Sequence, residues 1–206
     1  MKYQNIIFDL DGTLIDTEEA VLKTWQYTLQ EYGFYYMLND LQIVLGVTEQ
    51  AALQALNIRP DEDFSSRWIH NYALFGKESK YFSGIEETLE RLKQSGRTVG
   101  VVTSRYRSEC DLFFPHLQFD RYFSLLICAD DTKRHKPYPD PLEKYMSCMN
   151  VRPQDCIYIG DMPTDMQCAN AAFTASGHAV WGKKDKKRAE FADYIFYRPS
   201  EICEKV

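Results

Sequence analysis

Short continuous runs of apolar residues recur along the chain, each followed by a longer, more polar stretch with helical spacing. The runs are Ile6–Phe8, Thr98–Val102, Leu125–Cys128, Cys156–Ile159, His178–Trp181 and Tyr194–Phe196. Continuous rather than alternating hydrophobicity marks strands covered on both faces, as in a parallel sheet with helices between. The intervening stretches carry helix signals. Ser83-Gly-Ile-Glu86 has the spacing of a capping box, and Gly96 is placed to end that helix. Asp140-Pro141-Leu-Glu143 offers a cap residue, proline in the first helical position and glutamate at the third. The alternation predicts an α/β fold, a three-layer sandwich around a parallel, Rossmann-like sheet.

One block breaks the alternation. From Thr17 to about Lys80 there is no comparable strand but much helical periodicity, including Val21, Trp25, Leu29 with Tyr32, and Leu53 with Leu56. The block is rich in aromatics, among them Phe34, Tyr35, Trp68 and Tyr72. It reads as an all-helical domain inserted after the first strand. The expected crossings fall near Ile15–Asp16 and Lys80–Ser83, giving an α/β core over 1–15 and 82–206 and a helical insertion over 16–81.

Composition narrows the function classes. The 206 residues are 45% hydrophobic and 26% charged, as in ordinary soluble domains. A net charge of −6 gives no basic face for nucleic acid. No apolar segment approaches the roughly 20 residues of a membrane span, and MKYQNIIFDL has no signal-peptide core. The six cysteines form no C-x-x-C pair and read as reduced thiols. A cytoplasmic protein, monomeric or weakly dimeric, is expected. The charge run Gly182 to Arg188 reads as a solvated loop or helix face.

Four patterns sit where strands should end, the edge at which open α/β sheets bind ligands. The first is Asp9-Leu-Asp11-Gly-Thr13. Taken as an EF-hand loop it fails, because Leu14 and Ala20 stand where glycine and glutamate are required. A metal loop of another kind, a cap, or a nucleophile beside its acid–base partner remain open. The second, Val101-Val102-Thr103-Ser104-Arg105, offers hydroxyls and free amides suited to a phosphate oxygen, or a helix cap. The third, His135-Lys136-Pro-Tyr-Pro-Asp140, places one cation near anionic groups. The fourth is Ile159-Gly160-Asp161-Met-Pro-Thr-Asp165, with two carboxylates one helical turn apart. Several carboxylates cannot share a pocket in ionised form without a cation, and hard oxygen donors point to Mg²⁺.

In this order, D-x-D-G-T, a strand-end Thr, K-P-x-P-D and G-D-x-x-x-D resemble the haloacid dehalogenase superfamily over nearly the whole chain. The helical insertion is similar to its phosphoglycolate phosphatase and β-phosphoglucomutase-like branch. The resemblance implies a phosphatase acting on a small phosphorylated metabolite through an aspartyl-phosphate. Asp9 would be nucleophile and Asp11 acid–base. Thr103, Ser104 and Lys136 would hold the phosphoryl group. Mg²⁺ would be bound by Asp9, the Asp11 carbonyl and Asp161, with Asp165 orienting metal-bound water. Retention of Asp11 argues against dehalogenase chemistry.

The insertion would act as a cap that sets leaving-group specificity. Its substrate-facing loop aligns with Leu45-Gly46-Val47-Thr48-Glu49, so Gly46 and Val47 are expected at the substrate. Glu49 stands where β-phosphoglucomutases carry an arginine, and Val21 stands nearest their first-helix histidine; both departures favour hydrolase over mutase. Phosphoglycolate and pyrophosphate are the leading substrate candidates. Arg67 or His70 could meet an anionic leaving group, and His135 could edge the site. A non-catalytic phospho-ligand-binding module is the remaining alternative. Ser83 and Ala172 replace the family's proline and glycine away from the chemistry. Asp16-Thr-Glu-Glu19 has the spacing of a helix cap.

Overall fold

The computed structural model describes residues 2–59, 61–77, 79–182 and 191–206. The charge run after Gly182 therefore lies outside the described residues. Six strands form one sheet: β1 (Asn5–Phe8), β2 (Thr98–Val102), β3 (Leu125–Ile127), β4 (Cys156–Gly160), β5 (Ala175–Ala179) and β6 (Tyr194–Phe196). Their spatial order is β3-β2-β1-β4-β5-β6 and every pairing is parallel. Three α-helices intervene between β1 and β2 before the chain rejoins the sheet layer: α1 (Glu18–Glu31), α2 (Glu49–Ala55) and α3 (Phe64–Phe75). The others are α4 (Ile85–Gln94), α5 (Arg107–Phe113), α6 (Phe119–Tyr122), α7 (Asp140–Met149), α8 (Pro163–Ala171) and α9 (Glu201–Lys205).

The two-residue period of each strand sends side chains to opposite faces. Ile6, Phe8, Val99, Val101, Ile157 and Ile159 bury one face beneath Ile85, Leu89 and Leu92 of α4 and Ile202 of α9. Ile7, Val102, Ile127 and Tyr158 bury the other beneath Leu142, Tyr145 and Met146 of α7 and Cys168 and Ala169 of α8. Two buried faces make three layers, which is why the strands read as unbroken apolar runs. Gly100 faces α7, and a Cβ there would lie 2.2 Å from Cε2 of the fully buried Tyr145. Gly100→Ala is therefore expected to cost about 1–3 kcal/mol, measured by chemical denaturation; an unchanged midpoint would refute the contact.

Helices α1 and α3 pack through an aromatic array. The Trp25 ring lies 5.6 Å from Phe64 and 6.3 Å from Trp68, and Trp68 stacks on Tyr72 at 5.3 Å. These rings belong to the same buried cluster as the first sheet face. The two crossings run side by side: Asp16 N–H donates to Lys80 O at 3.1 Å and Phe82 N–H to Leu14 O at 2.9 Å.

Several local expectations are corrected. The fifth strand is Ala175–Ala179, not His178–Trp181. Its small residues are required by packing, since a Cβ on Gly177 would lie 2.7 Å from the Phe196 ring, and Ser176 Oγ donates to Asp193. Trp181 instead donates its indole N–H to Thr13 O at 2.9 Å. Ser83 caps nothing: α4 starts after Gly84, which takes φ +84°, and Glu86 accepts from Tyr122. Asp140 is the first residue of α7 rather than its cap, pairing with Arg134 at 2.9 Å, so Pro141 stands second. Asp16 does not cap α1 either; that place belongs to Thr17. Gly96 does end its helix, at φ +79°. All six cysteines are free, and no described helix is long and apolar enough to cross a membrane.

Candidate active site

The register of the sheet assembles the site. Phe8 pairs with Val101 on one side and Ile159 on the other, so β1, β2 and β4 end together. Asp9, Thr103 and Asp161 follow those ends. The Asp9 backbone is pinned by donation to Ile159 O at 2.8 Å, and that of Thr103 by donation to Ile127 O at 3.0 Å. Gly12, at φ +77°, passes so close to Asp161 that a Cβ would sit 2.8 Å from its Oδ2. A side chain there would meet both backbone strain and collision.

Lys136 reaches the same point from the loop before α7, where the Lys136–Pro137 peptide is cis. Its ammonium, in a residue only 7% exposed, donates to Asp9 Oδ1 at 2.7 Å and Asp165 Oδ1 at 2.8 Å. Asp165 is fully buried in the first turn of α8, and also accepts from Tyr158 Oη at 3.2 Å and Met162 N at 2.9 Å. Gly160 makes room for it, since a Cβ would lie 2.3 Å from the Asp165 carboxyl.

Carboxylate oxygens of Asp9, Asp161 and Asp165, all buried, lie within 4.8 Å of one another. One lysine among three carboxylates leaves a net negative charge in a desolvated place, which strongly favours a bound cation. All-oxygen donors suit a hard ion. Burial drives the Asp9 carboxyl well above the usual carboxylate range; Lys136 pulls it down, while Asp165 and Asp161 push it further up.

The Asp11 side chain is not in that cluster. It turns toward Arg105, whose Nε donates to Oδ2 and Nη2 to Oδ1, both at 2.8 Å, while Thr17 Oγ1 donates to Oδ1 at 2.5 Å. Burial works to raise the Asp11 carboxyl, but the guanidinium overrides it and the result lies below the ordinary value.

Asp9, Asp11, Thr103, Ser104, Lys136 and Asp161 share the wall of one cavity of about 840 Å³ with Gly46 and Val47 from the helical block. Asp165 lies behind it. Ser104 Oγ donates to Gly46 O at 3.1 Å, and Gly46, at φ +71°, lies against Met162, so this loop touches the sheet domain directly. Val21, Trp25, Trp68 and Glu49 also line the cavity. Glu49 accepts from Ser65 Oγ at 2.5 Å. Arg67 and His70 do not reach the cavity. Arg67 lies over the Tyr32 ring, 3.9 Å from Glu31, and His70 borders a separate groove. His135 is likewise absent from its wall.

Arg105, Thr17 and Tyr158 belong to the site without any motif that assigns them a role there. An arginine just past a strand-end threonine was a visible signal; that it would face Asp11 was not.

A family model described as haloacid dehalogenase-like hydrolase matches residues 6–177. Proteins named pyrophosphatase PpaX from Anoxybacillus flavithermus and Bacillus cereus are each 26% identical, over the whole of this chain and 94% of their own lengths. A solved structure from Lactobacillus plantarum, described as a candidate phosphoglycolate phosphatase, is 30% identical, with a TM-score of 0.89 over 99% of both chains. A candidate β-phosphoglucomutase from Thermotoga maritima shares the fold, with a TM-score of 0.76 and 24% identity over 98% of this chain and 97% of its own. A shared architecture and a family match over most of the chain thus converge on one assignment: the chain is an enzyme of the haloacid dehalogenase-like hydrolase family.

Proposed function

We propose that the chain is a Mg²⁺-dependent phosphatase that hydrolyses a small phosphate ester through an aspartyl-phosphate on Asp9, with residues 16–81 as the cap. One observation carries this reading. Asp9 stands rigidly at the end of a buried strand, on the wall of a cavity, with Lys136 on one oxygen and a second strand-end carboxylate beside it. That is a nucleophile placed where a phosphoryl group can enter.

Asp9 attacks phosphorus as the bond to the leaving oxygen breaks, and that oxygen takes a proton from Asp11, whose carboxyl the Arg105 fork holds low and so ready to give the proton up. Asp11 then takes the proton of a water that attacks phosphorus, releasing phosphate and restoring Asp9. The Thr103 and Ser104 hydroxyls and the amides beyond β2 hold phosphoryl oxygens, while Lys136 offsets their charge. Mg²⁺ would be held by Asp9, the Asp11 carbonyl and Asp161. Asp165, with its oxygens already engaged by Lys136, Tyr158 and Met162, suits an orienting role. When bound, the ion polarises the phosphoryl oxygens and balances the carboxylates.

Pyrophosphate and phosphoglycolate are the proposed substrate classes, supported by the relatives named for those activities. The mutase alternative needs a cation for a second phosphate. Among the described residues, the basic side chains on the cavity wall are Arg105 and Lys136, and both are paired with carboxylates. Purified protein should release phosphate from p-nitrophenyl phosphate only when Mg²⁺ is present, and a panel of phosphorylated metabolites should identify the substrate. Sugar-phosphate isomerisation outpacing phosphate release would replace the hydrolase reading.

Metal affinity supplies a test independent of turnover. The Asp9 carboxyl is raised in the metal-free fold, so it holds a proton at pH values where an ordinary aspartate has lost it. Binding a cation must expel that proton. Apparent Mg²⁺ affinity is therefore expected to climb by up to about tenfold per pH unit below this raised pKa, and to level off above it. Titration calorimetry in two buffers of different ionisation heat counts the protons released. An affinity independent of pH down to the acid edge of the folded range would show that no proton leaves Asp9 when the ion binds.

A further inference from the structure

Asp11 lies beyond the end of β1, and Gly12 follows it at positive φ. No regular element therefore dictates where its carboxylate points. What holds it is tertiary. Arg105 closes a two-point fork on both oxygens, and Thr17, at the start of α1, adds a third donor. A planar guanidinium can fix a carboxylate in orientation as well as in place, which a lysine ammonium cannot.

Arg105 is itself immobilised. It is 6% exposed. Its guanidinium carbon lies 4.8 Å from the Tyr72 ring centroid, 5.1 Å from Phe114, 5.8 Å from Phe113 and 5.9 Å from Trp68. Nη2 also donates to Tyr72 Oη at 3.4 Å, Nη1 lies 3.5 Å from Glu109 Oε1, and the Arg105 amide donates to Thr103 Oγ1 at 3.2 Å. Rings from α3 and from the end of α5 pack around the guanidinium, with Tyr72 and Phe113 themselves 4.2 Å apart. An exposed ion pair of the same length would hold nothing in place; this one is enclosed.

We propose that Arg105 is the positioning residue for Asp11, and that its effect on turnover is confined to the proton transfers Asp11 performs. The inference rests on the phosphatase reading above. Attack by Asp9 on an aryl ester expels p-nitrophenolate, which leaves as an anion without taking a proton. Hydrolysis of the aspartyl-phosphate does need a base, because the attacking water must lose a proton to Asp11 as the Asp9–phosphorus bond breaks.

The test uses p-nitrophenyl phosphate with Mg²⁺ and compares wild type with Arg105→Met, Arg105→Lys, Asp11→Asn and the Arg105→Met/Asp11→Asn double variant. For Arg105→Met, kcat is expected to fall about 100-fold, within the range that acid–base catalysis supplies. Its kcat/KM should change by less than about fivefold, because that ratio reports only the steps through aryl departure. Stopped flow should then show a burst of one p-nitrophenolate per enzyme. Arg105→Lys, which keeps the buried charge but not the fork, should show the same pattern more weakly. It carries the test if the methionine variant fails to fold by circular dichroism. The double variant should be no slower than Asp11→Asn alone. A joint fall of kcat and kcat/KM without a burst would assign Arg105 a purely structural role and overturn the proposal, as would unchanged kinetics or additive losses. Wild-type protein that releases no phosphate would overturn the phosphatase reading and this inference with it. Normal wild-type turnover with the wrong Arg105 signature overturns this inference alone.

Discussion

Replacing Asp9 by asparagine is expected to lower kcat for phosphate release by about 10⁴-fold or more, the scale on which loss of a covalent nucleophile is felt. The substitution removes one charge and the attacking oxygen while nearly preserving shape. It also leaves Lys136 paired to Asp165 at 2.8 Å, so the buried cation keeps a partner and the fold should persist. The companion measurement is chemical. Wild-type protein quenched in acid during turnover should carry one phosphoryl group that hydroxylamine removes, and Asp9→Asn should carry none. Retained activity, or a phosphoryl group still present in the variant, would place the nucleophile elsewhere.

Replacing Lys136 by methionine should injure stability as much as activity. The lysine is the cation between Asp9 and Asp165, and all three side chains are at most 4% exposed. Removing one partner of a buried ion pair leaves uncompensated charge, typically worth about 3–5 kcal/mol. The sign with pH follows from Asp9. Its carboxyl is already raised by burial, and loss of Lys136 removes the cation that lowers it. A group whose pKa is higher folded than unfolded favours the fold at low pH and loses that contribution as pH rises through the folded value. The stability deficit of metal-free Lys136→Met should therefore widen from pH 5 to pH 8, measured by urea denaturation with chelator present. Added Mg²⁺ should recover part of it, because an ion can take over the charge balance. A deficit independent of pH, or one below about 1 kcal/mol, would show that the lysine does not balance these carboxylates.

How much of this was legible differs from element to element. Five of the six strands were visible as apolar runs, because both faces of the sheet are covered and few positions have to be polar. The fifth was read three residues late. Ala175, Ser176 and Gly177 look like loop residues, and their smallness reflects Phe196 on the neighbouring strand, a contact no local pattern reports. The helix caps failed in a similar way. Ser83, Asp140 and Asp16 all have the right side chains at the right spacing, yet none caps its helix. Asp140 answers Arg134 instead, and Thr17 stands at the start of α1 with its hydroxyl given to Asp11. Capping preferences are worth about 1 kcal/mol, and partners distant in sequence readily outbid them. Arg67 and His70 have the chemistry of cap cations, but neither lines the cavity.

By itself the sequence determined the sheet, its interruption by a helical block, and the strand-end residues for which chemistry is proposed. Each of these rests on patterns local to the chain, apolar runs and short motifs whose meaning does not depend on distant partners. Only the tertiary structure decided which partners each carboxylate meets. Parallel register aligned the ends of β1, β2 and β4, drew Lys136 between Asp9 and Asp165, and left Asp11 to Arg105 and Thr17. Ion pairing and burial depend on which residues meet across long stretches of chain, and that is settled by packing rather than by spacing.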